Sequence, residues 1–311
     1  MRVLVTGGAG FIGANFVRYV LATTTEVEVV NLDALTYAGN LASLADIAGD
    51  PRYRFVHGDV RDAELMERLV ADVDAVVHFA AESHVDRSID GPAAFLDTNV
   101  VGAGTVFDAC RRAAVPRVLH ISTDEVYGST QAPEGFVETD PLRPNSPYAA
   151  SKAGADLLAR SYQRTYDYPI TVTRTTNNFG PYHHPEKVVP LFITNLLDGR
   201  RVPLYGDGSN VREWTYVEDN VAAQWLVLTE GEPGAVYNVG SGDRRTNREL
   251  TEAILAAVGA DEGMIEHVAD RPGHDQRYAV DSSSIRELGW RPTVSFDEAV
   301  RRTVAWYRTH E

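Results

Sequence analysis

The sequence predicts a doubly wound parallel α/β sheet followed by a smaller α/β lobe, on three observations. Short β-branched apolar runs alternate with longer amphipathic stretches through the first half. A glycine-rich turn joins the first apolar run to the first amphipathic stretch. After about Gly180 the texture changes to Pro-, Gly- and charge-rich loops between helical patterns. Apolar strands separated by helices belong to parallel sheets covered on both faces, and right-handed crossovers wind such a sheet in both directions.

Taken in order, strands are expected at Arg2–Thr6 (RVLVT), Val27–Leu32, Tyr53–His57, Ala75–Phe79, Arg117–Ser122 and Ile170–Arg174. Helices fall between them at Phe11–Ala22, Asp62–Ala71, Pro92–Ala114 and Tyr148–Tyr166. Further helical patterns follow at Val188–Leu197, Val217–Thr229, Asn247–Val258 and Phe296–Arg308. Residues 1–179 are read as a dinucleotide-binding domain and 180–311 as mainly a substrate lobe, with some late segments returning to the first.

Composition narrows the function classes. Of 311 residues, 44% are hydrophobic and 23% charged, which suits a folded core and excludes wholesale disorder. With 29 Lys and Arg against 44 Asp and Glu, the net charge of −15 opposes binding to nucleic acid or an anionic membrane. The one cysteine, Cys110, permits no intrachain disulfide and reads as packing in a helix. No apolar run is long enough to span a bilayer, and the N-terminus enters a strand without a secretory leader pattern. A cytoplasmic enzyme is expected.

Gly7, Gly10 and Gly13 lie in the turn GGAGFIG between the first strand and first helix. There Gly7 permits the tight turn, Gly10 admits a pyrophosphate to the backbone, and Gly13 lets helix and strand pack closely. Asp33 follows Gly13 by twenty positions at a strand end, where a carboxylate accepts both adenosine ribose hydroxyls and repels a 2′-phosphate. The expected cofactor is therefore NAD rather than NADP. Asp59, at the next strand end, is either a contact to adenine or a turn residue. Tyr148 and Lys152 stand four apart on one predicted helix, with Ser122 and Thr123 upstream. A nearby ammonium favours phenolate, so Lys152 is expected to lower the Tyr148 pKa and fit it to take an alcohol proton.

These features together resemble the extended short-chain dehydrogenase/reductase superfamily, with its Rossmann sheet. The strings Ser122–Gly128 (STDEVYG), Ala80–Ser88 (AAESHVDRS), Asn177–His183 (NNFGPYH), Pro185–Lys187 (PEK) and Arg271–Asp275 (RPGHD) are similar to the dTDP-glucose 4,6-dehydratases. That resemblance implies roles. Tyr148 would deprotonate the glucose 4-hydroxyl, Thr123 would bond that hydroxyl, Glu125 would remove the C5 proton, and protonated Asp124 would assist loss of the C6 hydroxyl. It also implies that Gly7, Gly10, Phe11, Ile12, Gly13, Asp33, Asp59, Val60, Phe79, Ala80, Ala81, Ser83, Thr98, Tyr148, Lys152 and Asn178 face NAD. Ser83, Thr123, Asn177, Lys187, Arg212, Asn247, Arg271 and His274 would face the nucleotide sugar, dTDP-glucose, and a homodimer would form through the two long helices.

Neighbouring carboxyls in one pocket resist joint ionisation, which gives one acid and one base. A nucleotide-sugar 4-epimerase would use the same cofactor and Tyr148 but has no task for Asp124 and Glu125. A non-catalytic dinucleotide sensor needs neither Tyr148 nor Lys152. His183-His184-x-Glu186 lacks a third ligand at suitable spacing, so no metal is expected.

Overall fold

The computed structural model describes residues 1–270 and 275–310. Strands β1 (Arg2–Thr6), β2 (Glu28–Asp33), β3 (Tyr53–His57), β4 (Ala75–His78), β5 (Arg117–Thr123) and β6 (Thr171–Thr175) occupy the first half. They alternate with helices α1 (Phe11–Thr23), α2 (Ala63–Val70), α3 (Val85–Asp90), α4 (Pro92–Phe95), α5 (Ala103–Arg112) and α6 (Pro147–Tyr166). Next come β7 (Asn177–Phe179), α7 (Val188–Leu197), β8 (Val202–Tyr205), β9 (Val211–Tyr216), α8 (Val217–Glu230), β10 (Val236–Val239), β11 (Arg244–Thr246) and α9 (Asn247–Val258). The chain ends through β12 (Ile265–Val268), α10 (Ser283–Glu287) and α11 (Phe296–Tyr307).

Seven strands form one parallel sheet in the order β10-β6-β5-β4-β1-β2-β3. Strand side chains alternate between its faces. Val3, Val5, Val29 and Val77 meet α1 and α8 through Phe16, Val20, Val221 and Val227. Leu4, Val30, Val76 and Val118 meet α2, α5 and α6 through Met66, Phe107 and Ala155. Each such fully buried large apolar side chain stabilises the fold by about 1.5–3 kcal/mol. Cys110 lies in this second layer, and burial pushes its thiol pKa up, which suits packing and not nucleophilic work.

Crossing from β1 to β4 reverses the strand order, and the crevice at such a reversal is where doubly wound sheets bind ligands. The seventh strand comes from beyond residue 180: β10 pairs with β6, and Ile285 and Trp290 join the α1 side of the core. A separate core around Phe179, Phe192, Trp214, Leu250 and Val300 supports the second lobe. The single helix expected at 92–114 is α4 and α5 joined by a π-helical turn, Leu96–Gly102. No described helix is long and apolar enough to cross a membrane.

Candidate active site

One cavity of about 440 Å³ lies across the carboxyl ends of the strands, a size suited to a bound small molecule. Its glycine wall is sterically determined. Gly7 has φ +72°, and a Cβ there would stand 2.6 Å from the Ala80 amide nitrogen. A Cβ on Gly13 would meet the Gly7 carbonyl at 2.2 Å, so only glycine lets α1 approach β1 this closely. A Cβ on Gly10 would meet only the Gly7 oxygen, at 3.3 Å, and otherwise open space. Gly10 caps α1 without a side-chain hydrogen bond, and no acidic residue occupies the first turn. Free amides and a positive helix end therefore face the cavity, a cradle that fits a dinucleotide pyrophosphate.

Asp33 accepts from the Ala9 amide at 2.9 Å through one oxygen and from Leu35 at 2.8 Å through the other, which leaves acceptor capacity on both. Asp59 is held within its own turn by Arg61, 2.6 Å away, and by the Arg61 amide at 2.9 Å. The hydrogen bond from Arg61 draws its carboxyl below the usual range. Val60, Phe11, Ile12, Phe79, Ala80, Ala81, Ser83, Thr98 and Asn178 line the same cavity.

The other end holds the titratable groups. Strand β5 runs one residue further than expected, to Thr123, and a 3-10 turn (Asp124–Tyr127) follows. The Thr123 hydroxyl accepts from the Glu125 amide and donates to Asp124 Oδ1, both at 3.3 Å. Asp124 is 3% exposed, and its Oδ2 has no partner. Burial above all, then the charges of Glu125 and Glu213, push Asp124 well above the ordinary carboxyl range, against the pull of Arg212.

Ser146 starts α6 by accepting from the Ala149 amide at 3.1 Å, with Pro147 at the first helical position. This sets Tyr148 and Lys152 one turn apart on the cavity wall. Lys152 is 4% exposed and donates to the Ile121 carbonyl at 2.6 Å. Burial lowers its pKa to about 8, with Asp156 opposing. Tyr148 differs from expectation. Burial, then the Glu125 charge, push the phenol up, and the Thr123 hydrogen bond only partly opposes them. The half-buried phenol lies beside two carboxyls, and Lys152 is not among the groups that shift it.

Asn177 and Lys187 also reach the cavity, and the Lys187 ammonium donates to the Ser83 carbonyl at 2.8 Å. Arg212 and Asn247 stand outside its lining. Arg212 lies over the Tyr278 ring at 4.3 Å and donates to the Asp275 carbonyl at 2.9 Å, although its charge reaches Asp124. Asn247 begins α9, its amide bonded to the Asn210 carbonyl at 2.9 Å. Arg271 and His274 lie outside the described residues. Sequence reasoning missed His183 as a wall: its ring stacks on Phe11 at 4.0 Å. It also missed Glu186, which lines the cavity and pairs with Arg87 at 2.8 Å. Arg87 in turn lies 4.0 Å over the Tyr37 ring. No group of three or more His, Cys, Asp or Glu among the described residues is arranged to hold a metal ion.

A family model described as GDP-mannose 4,6 dehydratase matches residues 4–303. The dTDP-glucose 4,6-dehydratase of Streptomyces niveus is 52% identical over 314 residues, covering 99% of this chain and 93% of the relative. The chain belongs to the dTDP-glucose 4,6-dehydratase family. Another similar protein is the low-salt glycan biosynthesis protein Agl12 of Haloferax volcanii, 57% identical over 307 residues, with 99% of this chain and 98% of the relative covered. Among solved structures, the dTDP-glucose 4,6-dehydratase DesIV of Streptomyces venezuelae, bound to NAD and dTDP, superposes with a TM-score of 0.96. It is 56% identical, and the match covers 99% of this chain and 97% of that one. The cavity thus carries a glycine cradle at one end and, at the other, buried Asp124 beside half-buried Glu125.

Proposed function

We propose that this chain converts dTDP-glucose to dTDP-4-keto-6-deoxyglucose and water, with NAD as its cofactor. One observation carries the reading: Asp124, whose carboxyl burial pushes well above the ordinary range, stands beside Glu125 in the cavity that Tyr148 and Lys152 also line. A nucleotide-sugar 4-epimerase would give that pair no work. A nicotinamide dinucleotide held by Gly7, Gly10, Gly13 and Asp33 would supply the reversible hydride acceptor for C4 and C6 of the sugar.

The chain's own residues handle the protons. Tyr148 takes the C4 hydroxyl proton, with Thr123 orienting that hydroxyl and Lys152 supplying positive charge nearby. The resulting C4 ketone acidifies the C5 proton, which Glu125 removes and later restores. Asp124 gives its proton to the C6 hydroxyl, which leaves as water. Gly7, Gly10, Gly13 and Asp33 bind the dinucleotide in this reading, while Ser83, Asn177 and Lys187 bind the nucleotide sugar. Lys187 neutralises diphosphate charge locally despite the acidic total.

We assign the cofactor to a unit of residues 1–179, supplemented by α8 and β10, and most sugar contacts to 180–311. A homodimer is part of the proposal, supported by Leu96, Val101, Leu157 and Tyr166, each more than half exposed along the 92–112 and 147–166 helices. A monomer in light scattering at working concentration would remove it. The enzyme is assigned to the cytoplasm. Incubation with NAD and dTDP-, UDP-, CDP- and GDP-linked hexoses tests the function: a 4-keto product absorbing in alkali is expected from dTDP-glucose, and dTDP-galactose in its place would mark an epimerase.

A further inference from the structure

Segment 181–187 bridges the cavity as a strap whose two ends are fastened differently. His183, Glu186 and Lys187 on it line the same cavity as Gly10 and Gly39, and the His183 ring stacks on Phe11 of the glycine turn at 4.0 Å. The first end is held by two helices. Asn15 of α1 donates to the Pro181 carbonyl at 3.0 Å, and Arg18 lies over the Tyr182 ring at 4.8 Å. From α11 the Tyr307 hydroxyl donates to the His183 carbonyl.

The other end depends on side chains. Arg87 of α3 donates to Glu186 Oε2 at 2.8 Å, while Glu186 Oε1 has no hydrogen-bond partner among the described residues. The same guanidinium lies 4.0 Å over the Tyr37 ring, which His184 of the strap meets edge-on at 5.7 Å. Tyr37 follows Asp33 by four positions, so the loop after β2, helix α3 and the strap converge on one clasp. The Arg87 side chain is 51% exposed. Water competes for such a pair, so this end opens more readily than the one held by main-chain carbonyls.

We infer that the strap gates cofactor exchange and that the Arg87–Glu186 pair is its latch: the dinucleotide enters and leaves when that end lifts from α3. The proposed reaction returns the cofactor unchanged, so nothing requires it to leave between turnovers. A latch on a gate slows passage in both directions. Its loss therefore speeds entry and exit alike and leaves the NAD affinity in place.

This inference rests on the cofactor reading, and its readout is exchange, not sugar turnover. Protein loaded with radiolabelled NAD is chased with unlabelled NAD to give the exit rate, and equilibrium dialysis of the same protein gives the affinity. Arg87→Met keeps the aliphatic length without the charge, whereas Arg87→Lys keeps a cation facing Glu186 and Tyr37. Exit from Arg87→Met should be about five- to tenfold faster than from wild type, the scale of an exposed ion pair joined to a cation–π contact. Glu186→Gln should also speed exit, and combining it with Arg87→Met should add nothing, because both act through one contact. Arg87→Lys should stay within about twofold of wild type, since the guanidinium offers Glu186 one hydrogen bond and not a fork.

Exit unchanged in Arg87→Met, or additive effects in the double variant, overturns the latch. Faster exit with affinity reduced in the same proportion overturns the gate, because it marks a binding contact instead. A wild type that retains no NAD overturns the cofactor reading on which the gate rests.

Discussion

The Lys152 ammonium donates to the main-chain carbonyl of Ile121 at 2.6 Å, which ties helix α6 to the carboxyl end of β5. The lysine is therefore held by the scaffold itself, one turn from Tyr148. Burial brings its pKa from 10.5 down to about 8. Its charge is present below that pH and lost above it, so kcat/KM should fall on the alkaline side near pH 8. Lys152→Met should remove that limb and lower the rate about 10²-fold or more. The unfolded chain binds this proton more tightly between pH 8 and 10.5, so Lys152 makes stability rise with pH across that window. Denaturation of wild type and Lys152→Met at pH 8 and 10 checks the sign.

Glu125→Gln should leave the first oxidation intact and stop the elimination, because glutamine cannot accept the C5 proton. Turnover should drop about 10²–10⁴-fold. NMR in deuterium oxide would then detect no label at C5; wild-type label uptake would take Glu125 out of the base role.

Tyr148→Phe keeps the ring and removes the proton acceptor. A loss of about 10²–10⁴-fold in dehydration is expected, with NAD affinity little changed by fluorescence titration.

Gly10→Ala and Gly13→Ala should behave differently although both lie in one turn. At Gly13 the new methyl collides with the Gly7 backbone, so a stability loss of about 1–3 kcal/mol should accompany weaker NAD binding. At Gly10 it projects into the cavity, so NAD affinity should fall while the melting temperature stays near wild type. Thermal unfolding without cofactor separates the pair.

Arg174 and Asp156 form a buried ion pair at 2.8 Å, with side chains 8% and 2% exposed. Arg174→Met leaves the Asp156 carboxylate without its partner and should cost about 3–5 kcal/mol in urea unfolding.

Much of this was legible in the sequence because it depends on local pattern. Gly7, Gly10 and Gly13 reveal the cradle through spacing within one turn, and Tyr148 and Lys152 share a helix face through i,i+4 geometry. Strand ends moved by a single residue, yet that brought Asp33 and Thr123 into the sheet at the cavity rim. Long-range relationships were not legible. Phe11 and His183 stack across 172 positions, and nothing in either segment signals the other. Arg212 was placed towards the nucleotide sugar by resemblance; its contacts with Tyr278 and the Asp275 carbonyl join segments more than 60 positions apart, which no local pattern signals. The Tyr148 pKa was misjudged because helical spacing gives the distance to Lys152 but not the burial and carboxylates on the phenol's other side.

The return of β10 to the edge of β6 makes the two halves of the chain mutually dependent. A fragment truncated near residue 180 would retain every glycine of the cradle and both Tyr148 and Lys152. It would nevertheless bare an unpaired strand edge and strip α8 from the apolar side of α1. Such a fragment should aggregate instead of binding dinucleotide, so recombinant dissection or domain grafting of this enzyme must carry the segment through Trp290.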